Sequence, residues 1–429
     1  MKAINRDILA LAVPSIIANI TTPLLGLVDT AITGHLDNDI YLAAIALGSS
    51  MFNLLYWLFG FLRMGTGGLT AIATGRGDSA MQSLLLWRGL LISLVIAVLL
   101  ISLSPLLVDG LLDFLGADEA TNHLARRYFS IVIWGAPAVL ATYVLTGWFL
   151  GRQSSRRPMI ISITINVINI AVSPVLTFVL GMKLDGVATG TLVAQWAGLI
   201  IGLIMCRQYH PARVRWRHLV ELDSLGQYFR VNSDIMMRTT CLIAVTLWFT
   251  RAGARQGDDI LAVNALLMQL FILFSYMVDG FAYAGEALVG RFTGARDHIT
   301  LRNCVRALMR WGFILALIYS VIYFLAGEWI LSLLTDSHHL LTAARDYLPW
   351  AVTIPLAGFL AFIWDGIYIG CTATRLQLIS MLVAMIVFFA LYYTLHSHMG
   401  NHGLWLAFIA YLLTRGLMQT LLWPRATST

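Results

Sequence analysis

The chain has 429 residues, of which 59% are hydrophobic and only 12% are charged. A soluble globular protein carries about 25% charged residues, so this composition excludes that class. The formal net charge of +6 does not indicate nucleic-acid binding, because the basic residues lie in short loops between apolar stretches.

Apolar stretches of roughly 20 residues follow one another along the chain, and each is long enough to cross a bilayer as a helix. We predict an all-α polytopic membrane protein with about twelve transmembrane helices. The predicted spans, in chain order, are roughly 8–34, 42–73, 84–113, 122–150, 158–181, 187–207, 227–252, 260–290, 304–326, 345–371, 376–396 and 404–423.

The loops between these spans alternate in charge. Arginines dominate one set, which includes the segment between the two halves, and acids and histidines dominate the other. The positive-inside rule then predicts that both termini are cytoplasmic. The basic segment between the halves is predicted to be a topology anchor that also touches anionic lipid.

The chain repeats itself with an offset of 219 residues. Gly147 and Gly151 recur as Gly366 and Gly370, and Gly75-Arg76-Gly77-Asp78 recurs as Gly294-Ala295-Arg296-Asp297. Six spans per half predict two lobes related by a pseudo-twofold axis along the membrane normal, as in transporters. The predicted organisation is an amino-terminal lobe at 1–207, a cytoplasmic linker at 208–226 and a carboxy-terminal lobe at 227–429.

Asp29 is the most informative polar residue of the first half. It lies inside the first predicted span, where an ionised carboxylate is costly and a protonated one less so. A proton-coupled carrier needs such a group, although a structural or merely solvated acid is an alternative. Pro14 and Pro23 remove backbone hydrogen bonds from the same helix, so its bend could follow the protonation state.

Other polar residues lie deep in predicted spans of both halves. Arg63 needs a partner or a water-filled cavity, and Asp29 is one candidate partner. Asn166 and Asn169 are either interhelical hydrogen-bonding residues or part of an ion network. In the second half, Asp365 and Asp279 are the functional candidates. Glu286 is a further candidate for a substrate cavity or charge network, with a merely solvated position near the cytoplasmic end as the alternative. Asp234 and Arg238 are an i, i+4 pair of the same network, expected to form a structural salt bridge. Tyr143 and Tyr276 could line a substrate pocket.

Five segments, taken together, resemble one family. They are PLLGLVDTAITGHL, FLRMGTGGLTAIATG, NVINIAVSP, DGFAYAGEALVGRFTGARD and WDGIYIGCTATR. In this order and spacing they resemble the MATE (multidrug and toxic compound extrusion) family, and within it the DinF branch.

The resemblance implies two six-helix lobes around a cavity and export of bulky, often cationic, amphipathic compounds in exchange for protons or sodium. By position, Asp29 matches the first-helix acid of the family's amino-terminal cation site, and Asn169 matches its asparagine. Asp365 matches the acid of a carboxy-terminal site found in the sodium-coupled branch. Ser173 stands where the family often has a second acid, so sodium coordination in the first lobe should weaken.

The sequence thus predicts a multidrug efflux antiporter of the bacterial inner membrane, driven by protons and working by alternating access. Alternatives are sodium coupling or a flippase for a lipid-linked cell-envelope precursor. We expect no cofactor other than the coupling ion, no nucleic-acid partner and a monomer. An enzyme is disfavoured, because the spans contain neither an HExxH nor a GxSxG motif.

Overall fold

A computed structural model describes residues 2–33, 39–115, 118–212, 214, 216–219 and 221–426. Within these ranges, the side chains of 22–30, 33, 39, 115, 216, 217, 222–225 and 227 are not described. Every regular element in the described part of the chain is helical, so the all-α prediction is confirmed.

The first half of the chain forms ten α-helices in the residues described. They are α1 (Lys2–Thr33), α2 (Asp39–Leu58), α3 (Phe61–Gly75), α4 (Ser79–Ser102), α5 (Ser104–Leu115), α6 (Glu119–Val132), α7 (Ala136–Gly151), α8 (Arg156–Pro174), α9 (Lys183–Arg207) and the short α10 (Trp216–Leu219). A 3₁₀ turn, Ile133–Gly135, joins α6 to α7, and a π-helical turn, Val175–Val179, continues α8.

The second half has fewer and longer helices. They are α11 (Leu222–Ala254), α12 (Asp258–Gly294), α13 (His298–Ser332), α14 (His338–Arg345), α15 (Leu348–Gly370), α16 (Thr374–Met399) and α17 (Asn401–Ala426).

Eleven stretches of the described residues are helical, long enough and apolar enough to cross a membrane. The predicted span 227–252 falls in α11, which is not among the eleven. The predicted span 42–73 is two helices, α2 and α3. They meet at Phe59 and Gly60, whose amides bond to carbonyls three residues back, a tighter turn than in an α-helix.

The chain divides into two compact units. Residues 17–228 form one, which we call the first unit; residues 1–16 together with 229–429 form the other, the second unit. The start of α1 thus belongs with the second half, and the division follows two residues after Pro14. The helix itself is continuous through Pro14. The lobes predicted at 1–207 and 227–429 stay a prediction.

The repeat of 219 residues reappears in the helix packing of the two units. In the first unit, a methyl group at Gly147 on α7 would lie 2.1 Å from the carbonyl oxygen of Arg63 on α3. In the second unit, a methyl group at Gly366 on α15 would lie 1.9 Å from the carbonyl oxygen of Ala282 on α12. Both contacts require glycine, because only a residue without a Cβ lets the backbones approach this closely.

The turn that follows each of these packed helices is also repeated. Asp78 caps α4 by accepting from the Met81 amide at 2.8 Å, and Asp297 caps α13 by accepting from the Thr300 amide at 3.0 Å. Hydrogen bonding to Thr300 holds the pKa of Asp297 below its usual value. The preceding residues, Gly77 and Arg296, both have the left-handed conformation, with φ of 70° and 57°.

The segment joining the halves packs on the first unit. Arg88 on α4 donates to the carbonyl oxygens of Leu219 at 3.1 Å and His218 at 2.9 Å. The hydroxyl of Tyr228 lies 3.1 Å from that of Thr66 on α3. These contacts give the segment a defined position on the first unit, besides the predicted role in topology.

Candidate functional site

A cluster of polar side chains surrounds Asp365 inside the second unit. Arg238 from α11 and Arg415 from α17 each donate an Nη2 hydrogen bond to the Oδ2 atom of Asp365. Gln377 from α16 and Gln419 from α17 each donate to its Oδ1 atom at 2.9 Å. Both carboxylate oxygens are therefore occupied by protein donors.

The cluster is buried and carries an excess of positive charge. Asp365 is 7% exposed, and the four residues that bond to it are 6% exposed or less. Two guanidinium groups face one carboxylate, so a cation at this carboxylate would meet two fixed positive charges. This arrangement disfavours a sodium site at Asp365. The Nε atoms of both arginines have no hydrogen-bond partner among the described residues.

The second-half acids lie in different surroundings from those predicted. Arg238 pairs with Asp365, while Asp234 accepts a 3.0 Å hydrogen bond from the hydroxyl of Thr374, so the i, i+4 spacing did not identify the partner of Arg238. Glu286 on α12 is 1% exposed, and the expectation that it is only solvated is wrong. Asp279, also on α12, is half-buried and lies within electrostatic range of Arg238.

The first unit has an uncharged polar cluster on α8. Asn166 donates to the carbonyl oxygen of Thr21 on α1 at 2.7 Å, and Asn169 donates to the hydroxyl of Thr191 on α9 at 3.1 Å. Asn169 and Ser173 are both 0% exposed. Within the described residues, the Oδ1 atom of Asn169 and the Oγ atom of Ser173 have no hydrogen-bond partner.

Ser173 lies where α8 changes its winding and meets α9 closely. A methyl group at Gly190 on α9 would lie 2.1 Å from the Oγ atom of Ser173, so glycine leaves room for this hydroxyl. Two residues later the π-helical turn Val175–Val179 begins. Such turns inside helices occur frequently at functional sites. These two buried oxygens, which have no partner within the described part of the chain, are able to accept hydrogen bonds from a protonated group or to contact a small cation.

The predicted residues of the first helices are only partly described. Asp29 and Pro23 belong to α1, but their side chains lie outside the described residues, so their predicted roles stay predictions. Pro14 is buried. Arg63 on α3 is half-buried, and its carbonyl oxygen is the one that Gly147 contacts.

The aromatic residues proposed for a pocket are not all alike. Tyr143 on α7 and Tyr276 on α12 are half-buried, which leaves part of each ring accessible. Trp148, five residues after Tyr143 on α7, is 0% exposed and its indole N–H donates to the carbonyl oxygen of Gln82 at 2.8 Å. It is a packing residue of the first unit.

Sequence reasoning missed three residues of the Asp365 cluster: Gln377, Arg415 and Gln419. Arg415 could have been noticed, because an arginine inside the apolar stretch 404–423 requires a partner. Gln419 lies four residues later, on the same helical face. Gln377 carries no comparable signal, because it lies near the start of α16, where a polar residue is unremarkable.

Comparison with known proteins agrees with these observations. The MatE family profile matches residues 14–175 and 235–394. The chain is 41% identical to DNA damage-inducible protein F of Escherichia coli (strain K12) over 97% of its own length and 91% of that protein. It is 24% identical to the probable multidrug resistance protein NorM of Photorhabdus laumondii over 80% of its own length and 77% of that protein.

Solved structures show the same fold at low sequence identity. The MATE transporter VcmN of Vibrio cholerae, in its bent form, superimposes with a TM-score of 0.89 at 17% identity and covers 100% of this chain and 98% of its own. A MOP superfamily transporter of Pyrococcus furiosus gives a TM-score of 0.88 at 18% identity, covering 99% and 96%. Because the family profile covers most of the chain and the Escherichia coli relative is 41% identical, the chain belongs to the MatE family, whose members are transporters and not enzymes.

Proposed function

We propose that this protein is a secondary active multidrug efflux antiporter that exports amphipathic, often cationic organic compounds in exchange for protons. The names of its NorM relatives, which describe multidrug resistance proteins, support the substrate class. The proposed setting is the bacterial inner membrane, with both termini in the cytoplasm, because the arginine-rich loops fall on one side.

One observation carries the choice of coupling site: the buried carboxylate of the second unit is already neutralised by protein donors. The carboxylate of Asp365 is neutralised by two arginines and saturated by two glutamines. The oxygens of Asn169 and Ser173 have no partner among the described residues. We therefore assign coupling to the first unit, whose sequence contains Asp29, and a structural role to the Asp365 cluster.

In the proposed cycle, Asp29 is the proton carrier. Protonation from the outside lowers the affinity for substrate and favours its release; deprotonation toward the cytoplasm restores binding. A bound proton changes the conformational equilibrium only through its different affinity for the two states. Asn169 and Ser173 contribute hydrogen-bond acceptors for the protonated carboxyl group, which keeps its O–H satisfied inside the membrane.

Protons fit this site better than sodium. The only acid in the proposed set is Asp29, since the position often occupied by a second acid in the family is Ser173. One carboxylate is enough to carry one proton, whereas a sodium ion that leaves water would have a single charged ligand in this set to offset its lost hydration.

The test is transport in proteoliposomes with a fluorescent organic cation. An imposed pH gradient without sodium is expected to drive uptake by the wild-type protein, and Asp29→Asn is expected to abolish that uptake while leaving the melting temperature unchanged. Uptake driven only by a sodium gradient, or an Asp29→Asn variant that transports at the wild-type rate, would contradict the proposal.

The flippase alternative has one observation in its favour. Arg238 and Arg415 are two buried arginines of the second unit, and anionic lipid-linked precursors need basic groups. The same proteoliposomes separate the two candidates: a flippase moves a fluorescent anionic lipid between leaflets and is indifferent to the organic cation.

A further inference from the structure

A polar groove lies on the second unit between the start of α1 and α13. Its volume is about 440 Å³. Its polar lining consists of Asn5 from α1 with Asn303, Arg306, Arg310 and Trp311 from α13. The indole N–H of Trp311 donates to the Oδ1 atom of Asn5 at 3.4 Å and so links the two walls.

The arginines of α13 are arranged on one helical face. Arg302, Arg306 and Arg310 follow one another at intervals of four residues, and all three are exposed. Only Arg306 and Arg310 line the groove. Arg306 and Arg310 are the charged residues among those that line the groove, so its lining is positively charged.

The same face of α13 becomes apolar directly after the groove. Ile314, which also lines the groove, is 47% exposed, and Leu317 and Val321 are each 48% exposed. The helix is long and apolar enough to span a membrane. An exposed apolar face of this kind is the surface that lipid acyl chains cover.

The groove therefore lies at the boundary between the headgroup layer and the acyl chains. Arginines and a tryptophan are the residues typical of that depth. Arginine also binds phosphate oxygens with two parallel hydrogen bonds, which gives affinity and orientation together. The loop that starts α13 belongs to the arginine-rich set, which the positive-inside rule places in the cytoplasm.

We propose that this groove is a binding site for the headgroup of an anionic phospholipid of the cytoplasmic leaflet. Arg306 and Arg310 bind the phosphodiester, and Asn5 and Asn303 hydrogen-bond to the rest of the headgroup. The acyl chains lie along Ile314, Leu317 and Val321. Basic pockets between helices on the cytoplasmic side are a recognised form of lipid recognition. The site is separate from the proposed coupling residues and does not depend on them.

The test uses the full-length protein, purified in detergent and titrated with phosphatidylglycerol, with lipid retention measured by native mass spectrometry. The double variant Arg306→Gln/Arg310→Gln is expected to bind the tightest phosphatidylglycerol at least about tenfold more weakly than wild type. Arg302→Gln is the matched control, since it removes an exposed arginine from the same face outside the groove, and it is expected to keep wild-type affinity.

Two further arms identify the ligand. Phosphatidylcholine, which has the same phosphate but no net charge, is expected to bind weakly, and inorganic phosphate is expected not to compete with phosphatidylglycerol. Equal loss of affinity in Arg302→Gln, an unchanged double variant, or full competition by inorganic phosphate would each overturn the proposal. If the double variant does not fold, Arg306→Gln alone provides the same comparison, because its side chain is exposed.

Discussion

The two units use the same helix contacts but bury different groups at equivalent positions. The close approach of α7 to α3 in the first unit matches that of α15 to α12 in the second, glycine for glycine. The residues 219 positions before Asp365, Arg238 and Arg415 are Thr146, Asn19 and Trp196. The first unit makes the same helix contacts with uncharged residues at these three positions. The charged cluster is therefore not required by the helix packing that the two units share.

The reverse holds for the polar pair on α8. The positions 219 residues after Asn169 and Ser173 are Phe388 and Tyr392, whose rings stack in parallel with centroids 6.4 Å apart. The second unit thus has an aromatic pair at the place where the first buries two oxygens that lack a hydrogen-bond partner among the described residues. Packed aromatic rings stabilise a buried site, whereas buried polar groups that lack hydrogen-bond partners lower the stability. This contrast is the structural basis for assigning coupling to the first unit.

The largest expected effect comes from replacing Asp365, since the equivalent residue of the first unit, Thr146, is not an acid. Asp365→Asn leaves two buried arginines facing a neutral amide, and we expect a loss of about 3–5 kcal/mol in the free energy of unfolding. Thr146→Val, at the equivalent position of the first unit, is the control, and it should cost less than about 1 kcal/mol. Melting temperatures in detergent measure both, and equal values would contradict the structural role of Asp365.

The glycine contacts should respond alike in both units. Gly147→Ala and Gly366→Ala each place a methyl group about 2 Å from a backbone oxygen, and each should cost about 1–3 kcal/mol. Gly110→Ala is the control, since its added methyl group would meet nothing within 4 Å and alanine favours the helix. A tolerated substitution at one position but not the other would break the equivalence of the two scaffolds.

Ser173→Ala separates stability from transport. Among the described residues the Ser173 hydroxyl has no hydrogen-bond partner, so removing it should not lower the stability of the protein, while proton-driven transport should fall. Ser380→Ala in the second unit is the matched control, because that buried hydroxyl donates to the carbonyl oxygen of Leu376 at 3.0 Å. Its loss should lower the melting temperature and leave transport intact. A Ser173→Ala protein with normal transport would argue against this part of the coupling site.

The smallest expected effect concerns the repeated helix caps. Asp78→Ala and Asp297→Ala should lower the melting temperature slightly and by similar amounts, since each removes one cap of equal geometry. The pKa of Asp297 is lowered in the folded protein, so its contribution is present above the unfolded-state pKa and is lost as the pH falls through the folded-state value. Melting curves of wild type and Asp297→Ala from neutral to acidic pH measure this contribution. A difference between the two proteins that disappears as the pH is raised would contradict the expected pH dependence.

The sequence predicted the scaffold well because the scaffold depends on local and periodic features. Apolar length predicted eleven of the spans found in the described residues, and the repeated glycines revealed the two halves. The structure then places Gly147 and Gly366 at equivalent helix contacts. The charged cluster was harder, because its donors come from α11, α16 and α17. The spacing rule paired Arg238 with Asp234, since it considers one helix at a time. The structure pairs it with Asp365, because a carboxylate inside a membrane protein requires its strongest donors wherever they lie in the chain.

Proton release on substrate binding tests the central claim most directly. Adding tetraphenylphosphonium, an organic cation, to the detergent-solubilised protein in weakly buffered solution with a pH dye should release protons from wild type and not from Asp29→Asn. Asp365→Asn, measured at a temperature where it remains folded, should release them as wild type does. Release that survives in Asp29→Asn and disappears in Asp365→Asn would place coupling in the second unit and contradict the account.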